Sequence, residues 1–171
     1  MASTKERGDQ SEKYSAEFMR SRGYVVEIHP RTSTFTGKFY VSRDNDFFNA
    51  ADLLCFGRND AALVQVTDTS GNPENEKIII DSGNVAYRKD KFDKNFPLTA
   101  RYLHILIFLT QKRWVKRNSE RRHKEYFHRA WERELTDYGF VWVEREEWSN
   151  IPDSKQSPRS LDVFTMPSSH T

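Results

Sequence analysis

Short apolar runs bounded by turn-forming residues organise this chain. Ser11 to Arg22 carries good helix formers, with Tyr14 and Phe18 at i, i+4 and Met19 beside them, and Gly23 follows as a stop; this pattern predicts a first helix. Tyr24-Val-Val-Glu-Ile28 is a β-rich run closed by Pro30, and Phe39-Tyr-Val41 reads as part of a β-excursion. Phe47-Phe-Asn-Ala-Ala-Asp-Leu-Leu-Cys-Phe56 and Ala61-Ala-Leu-Val-Gln-Val-Thr67 flank the turn-like Gly57-Arg-Asn-Asp60. Two such runs across four turn formers predict a β-hairpin.

Further along, Lys77-Ile-Ile-Ile80 has strand character, Asp81-Ser-Gly-Asn84 resembles a turn, and the charge patterning from Val85 to Phe96 favours a helix. Arg101 to Leu109 is continuously apolar apart from His104 and predicts a buried central strand. Ser119 is placed to cap another helix, with Phe127, Ala130, Trp131 and Tyr138 spaced helically before Gly139, and Phe140-Val-Trp-Val-Glu144 predicts a last strand. The expected fold class is therefore α/β: an α-β-β-β-α-β core with a central mixed sheet flanked by helices, and an additional C-terminal helix and strand.

Length bounds the organisation. The 171 residues suit one domain, because domains cluster near ~100–150 residues. Residues 1–10 are polar and the stretch from Trp148 to Thr171 is rich in Ser and Pro; both read as flexible, which leaves 11–147 as the domain. The longest apolar run, Leu103 to Leu109, falls far short of the ~20 residues that span a bilayer. The N-terminal residues lack the apolar centre of a secretory signal, and Cys55 stands alone in an apolar strand pattern. An intracellular protein, cytoplasmic or nucleoid-associated, with a small buried cysteine is expected.

Net charge is only +2, but seven Lys and Arg residues fall between Lys112 and Lys124. Arg113, Lys116, Arg117, Arg121, Arg122 and Lys124, with Trp114 for stacking on a base, are candidate nucleic-acid contacts. A solvated charged face explains the same run. His123 and His128 are five apart, without a nearby cysteine, and read as helix-surface or substrate-facing residues rather than zinc ligands.

The hairpin carries the candidate chemistry. A turn centred on Arg58-Asn59 pairs Gly57 with Asp60 and Phe56 with Ala61, and counting back sets Asp52 opposite Gln65. Directly opposed residues have Cβ atoms ~4.5–5.5 Å apart on one side of a sheet, so a carboxylate and an amide oxygen there can reach one small cation. Thr67 shares that face at i+2. A turn slipped to Asn59-Asp60 would set Asp52 opposite Thr67 and leave all three on one face. Polar groups inside apolar strands are costly unless paired, hydrogen-bonded or metal-bound. Asp52 capping a strand start, with Gln65 bonded to a loop, is the alternative.

A helix bearing a glutamate, then a hairpin with Asp on its first strand and an acid or amide two residues before a lysine on its second, resembles the PD-(D/E)XK, restriction-endonuclease-like nuclease superfamily. The Holliday-junction-resolvase-like and Mrr-like branches are the most similar. The resemblance covers roughly residues 11–110, and its informative parts are Asp46-Phe-Phe-Asn-Ala-Ala-Asp-Leu-Leu-Cys-Phe and Leu63-Val-Gln-Val-Thr-Asp68. It implies Asp52 as principal metal ligand, Gln65 in the second acidic position, and Glu17 on the first helix, with Glu12 second to it. Asp46 is implied as an extra ligand or a turn residue. Thr67 stands where the family usually has lysine, and Lys77, Lys89 and Lys91 are candidate replacements from other backbone positions.

The resemblance implies a metal-dependent DNA endonuclease, with branched or junction DNA as the substrate of the similar resolvase-like branch, in which homodimers are frequent. An oxygen-rich ligand set suits Mg2+, with Mn2+ as a substitute. The uncharged Thr67 keeps open a catalytically inactive nucleic-acid-binding member of the same fold. The modest net charge keeps open an interaction module without nucleic acid.

Overall fold

The computed structural model describes residues 4–29, 32–35, 37–38, 40–43, 46–69, 82–115 and 123–151. Helix α1 spans Thr4–Ser21 and α2 spans Ser82–Asn95. The strands are β1 (Val25–Ile28), β2 (Thr32–Phe35), β3 (Tyr40–Arg43), β4 (Leu53–Phe56), β5 (Ala61–Asp68), β6 (Leu103–Val115), β7 (His123–Thr136) and β8 (Gly139–Glu144). Six form one sheet in the order β1-β4-β5-β6-β7-β8, while β2 and β3 pair as a separate ribbon. Among the described strands only β5 and β6 run parallel, across the connection that contains α2. The α/β expectation with a mixed, helix-flanked sheet is met.

Helix α1 begins seven residues before the expected Ser11, so much of the segment read as flexible is helical. It ends as expected: Gly23 has φ 91°, and its N–H donates to Arg20 O at 2.9 Å, while Tyr24 N–H returns to Met19 O. Ala16 and Met19 of α1 pack with Ala62, Val64, Val66, Leu106 and Phe108 on one face of the sheet. On the other face, Phe92 of α2 and Phe96 just beyond its end pack with Leu63, Ile105 and Ile107. Buried Arg133 holds the end of α2, donating to Phe96 O at 2.9 Å and Leu98 O at 2.6 Å and pairing with Asp93 at 3.2 Å. Those carbonyls belong to the segment that follows the last helical residue, Asn95.

Three expectations need correction. The helix anticipated from Ser119 is strand β7, paired with β6 from Val115↔His123 to Leu106↔Glu132. Phe127, Ala130 and Trp131 mimic a helical stripe, but they divide between two covered faces: Ala130 packs on the α1 side and Trp131 on the α2 side. Tyr138 lies fully exposed in the β7–β8 turn, and Gly139, at φ 113°, opens β8 rather than ending a helix. The described chain runs to Ile151. Trp148 is buried, and Asn150 exchanges two main-chain bonds with His128 at 3.0 Å.

His128, expected at a surface, is fully buried. Its Nε2 lies 2.7 Å from Trp148 O and its Nδ1 3.0 Å from Tyr14 Oη, so the ring is a donor on one side and an acceptor on the other. The Phe108 ring stacks on it at 4.4 Å. Burial pushes its pKa down to about 4, so it ties α1 and the C-terminal turn to the sheet as a neutral ring. Cys55 is buried and free, as expected. Among the described residues no helix is long and apolar enough to cross a membrane.

Candidate functional site

The β4–β5 hairpin has the expected register. Gly57 N–H donates to Asp60 O at 2.8 Å, Phe56 pairs with Ala61, and Leu53 pairs with Val64. Asp52 N–H then donates to Val64 O at 2.9 Å, while Asp52 O accepts from His29 N–H at 3.2 Å. Main-chain bonds to both sides thus hold Asp52 just past the end of the ladder, which stops at Leu53↔Val64. The pleat puts Gln65 and Thr67 on the α2 face, because Leu63 of the same alternation packs against α2, and the Asp52 carboxylate meets the Gln65 amide.

Asp52 Oδ2 accepts from Val66 N–H at 2.7 Å and also from Gln65 Nε2. The first of these bonds is the strand-capping role weighed as the alternative. Both bonds fall on Oδ2. Gln65 is 1% exposed, and its Oε1 is buried without a hydrogen-bond partner. A buried amide oxygen left unsatisfied carries a desolvation cost of ~1–3 kcal/mol, which a ligand donor or a cation would remove.

Charge around Asp52 explains its proton affinity. Burial drives the carboxyl pKa up to about 7; the Val66 N–H pulls it down, Glu12 and Asp46 raise it further, and Arg88 opposes them. Glu12, rather than Glu17, is therefore the α1 carboxylate within electrostatic reach, and Glu17 is exposed. Five residues of helix turn the chain by ~140° beyond a full turn, so the two glutamates occupy different faces. Asp46 is ion-paired with Lys91 of α2. Lys89 points elsewhere, its Nζ 5.5 Å from the Trp131 ring centre. Lys77 lies outside the described residues.

Thr67 is buried, and its carbonyl accepts from Thr110 Oγ1 at 3.1 Å. No group of three or more His, Cys, Asp or Glu among the described residues is arranged to hold a metal ion. A cation here would rest on the Asp52 carboxylate and the Gln65 amide oxygen, with Glu12 of α1 in electrostatic reach of Asp52. The unpartnered Oε1 and the buried Asp52 carboxyl, raised to about 7, are features that a hard cation with oxygen ligands would relieve.

The basic run also takes a definite form. β5 pairs with β6 only as far as Asp68↔Thr110, and β8 meets β7 only from Trp131 onward. Residues 111–115 and 123–127 therefore continue as a two-stranded ribbon leaving the sheet at the Thr67 end of β5. Lys112 and Lys124 are exposed on it. Lys112 Nζ sits 4.9 Å from the Tyr126 ring centre and 3.4 Å from Gln10 Oε1. Arg113 donates from Nε to Gln111 Oε1 at 2.8 Å. Trp114 pairs with Lys124 in the ladder. Lys116, Arg117, Arg121 and Arg122 lie outside the described residues.

Sequence reasoning missed Arg88, although a signal existed: it follows Val85 by three residues and precedes Phe92 by four, a spacing that puts it on the buried stripe of α2. Compared with known proteins, the chain matches no family model, no curated protein and no solved structure.

Proposed function

We propose that this chain is a metal-dependent DNA endonuclease of restriction-endonuclease-like fold, with Mg2+ or Mn2+ held by Asp52, Gln65 and Glu12. The observation that carries the reading is the side-chain contact of Asp52 with Gln65 at the end of the hairpin ladder, with a buried amide oxygen that has no partner. The element order supports it. With the β2–β3 ribbon set aside, α1 to β6 runs α-β-β-β-α-β, with antiparallel β1, β4 and β5 and a parallel β6.

In the reaction, a water oxygen bonds to phosphorus, the bond from phosphorus to one ester oxygen breaks, and that oxygen departs with a proton. When bound, the metal would supply Lewis-acid polarisation of the phosphate and acidify a water. The protein groups have separable tasks. Val66 N–H holds Asp52 Oδ2 in place, Gln65 sits against the same oxygen, and Glu12 adds negative charge from α1. Lys112 and Lys124 attract the phosphate backbone along the ribbon, and a two-stranded ribbon has the width to enter the major groove of duplex DNA.

The uncharged, buried Thr67 favours a second reading, a nucleic-acid-binding protein of this fold without strand scission. Incubation with linear, branched and single-stranded DNA in Mg2+, Mn2+ or chelator separates the two. Metal-dependent nicking that disappears in Asp52→Asn supports the endonuclease. Chelator-insensitive binding without nicking of any substrate supports the second reading.

A further inference from the structure

We propose that Arg88 is a catalytic cation of this site, contacting the non-bridging oxygens of the phosphate under attack and replacing the lysine that β5 lacks at Thr67. The inference rests on the endonuclease reading above. Its position follows from packing on either side. Val85 packs with Leu109, the ladder partner of Thr67, while Phe92 packs with Leu63 and Ile107. Arg88 lies between them on the same stripe of α2, and therefore at the level of Gln65.

The other cations of this region already have counterparts. Lys91 pairs with Asp46, Arg133 pairs with Asp93, and Lys89 lies over Trp131. Arg88 makes no ion pair with any described residue; its guanidinium carbon lies 5.6 Å from the ring centre of the exposed Tyr87, and its Nε is buried without a hydrogen-bond partner. Gln111, two residues beyond Leu109 on the same face and 2% exposed, has a second buried donor, Nε2, without a partner.

Two N–H donors buried without acceptors on one face are costly, and an anionic oxygen satisfies both kinds. A guanidinium suits that role because its planar fork binds two phosphate oxygens together and stays charged when buried. It needs no proton transfer. Its contribution is to charge developing on the phosphate oxygens, the same contribution a strand lysine would make from Thr67.

The test compares single-turnover cleavage and chelator-stage DNA affinity for the native chain, Arg88→Gln, Arg88→Lys and Arg88→Gln combined with Thr67→Lys. Arg88→Gln is expected to slow cleavage by about 10²–10³-fold and to weaken metal-free binding. Arg88→Lys should keep most of the rate, and Thr67→Lys should recover at least about tenfold in the Arg88→Gln background. A purely structural arginine would not be rescued from a different strand. Cleavage by Arg88→Gln within about threefold of native, with Asp52→Asn inactive, overturns the inference and leaves the endonuclease reading standing. Absence of cleavage by the native chain overturns both.

Discussion

Val66 donates its main-chain N–H to Asp52 Oδ2 at 2.7 Å, just where the ladder between β4 and β5 runs out. That bond favours the carboxylate, yet burial outweighs it and the pKa rises to about 7. The folded chain therefore holds a proton on Asp52 that the unfolded chain, with a value near 3.8, gives up. Stability from this group is present below pH ~4 and is lost as pH rises toward ~7. Asp52→Asn is expected to be more stable than native at pH 8, by up to a few kcal/mol. The gap should close toward pH 4, as read by urea melts across that range; a gap independent of pH contradicts it.

His128 acts in the opposite sense. Its folded pKa of about 4 lies below the ordinary 6.5, so its contribution is present above pH ~6.5 and is lost as pH falls through ~4. The shift corresponds to about 3 kcal/mol. The stability advantage of native over His128→Gln should shrink by a comparable amount between pH 7 and pH 4. Denaturant midpoints at the two pH values measure it, and an undiminished advantage at pH 4 counts against a buried neutral ring.

Gly57 holds the hairpin register through close approach. A Cβ there would stand 2.0 Å from Asp60 Oδ1 and 3.0 Å from Tyr24 Cε1. Asp60 cannot swing aside freely, because Tyr24 Oη donates to its Oδ2 at 2.6 Å and His104 Nε2 lies 3.4 Å away. Gly57→Ala should destabilise by ~1–3 kcal/mol. Combining it with Tyr24→Phe and Asp60→Ala should recover part of the loss in thermal melts; an unchanged melting temperature in Gly57→Ala alone would remove the steric claim.

The ribbon makes a prediction about salt. If Lys112 and Lys124 each meet one phosphate, replacing both with alanine should lower the slope of log K against log salt by about 2. The loss should be similar for unrelated duplex sequences. Fluorescence anisotropy in chelator at several salt concentrations gives the slope directly, and an unaltered slope places the DNA elsewhere.

The hairpin was legible because Gly57-Arg58-Asn59-Asp60 separates two apolar runs that fix register by counting as far as Leu53 with Val64, and the Asp52 and Gln65 side chains meet just past that pair. β7 was not. A strand covered on both faces loses its period-two signature, so Phe127, Ala130 and Trp131 fell on helical spacing by coincidence. The preference for Glu17 over Glu12 had a related cause. Ser11 and Ser15 occupy the buried stripe of α1, and small polar residues conceal which face meets the sheet. Arg88 stayed hidden because a charged residue on an apolar stripe of α2 reads as helix surface until the neighbours on both sides are placed.

Manganese binding to the protein alone, followed by the loss of free-ion electron paramagnetic resonance signal at pH 8, addresses the pairing of Asp52 with Gln65 without DNA or turnover. Saturable binding at one site per chain, abolished in Asp52→Asn and weakened in Gln65→Leu and Glu12→Gln, is the expected result. Equal binding by native and Asp52→Asn would contradict a cation held between those two strands.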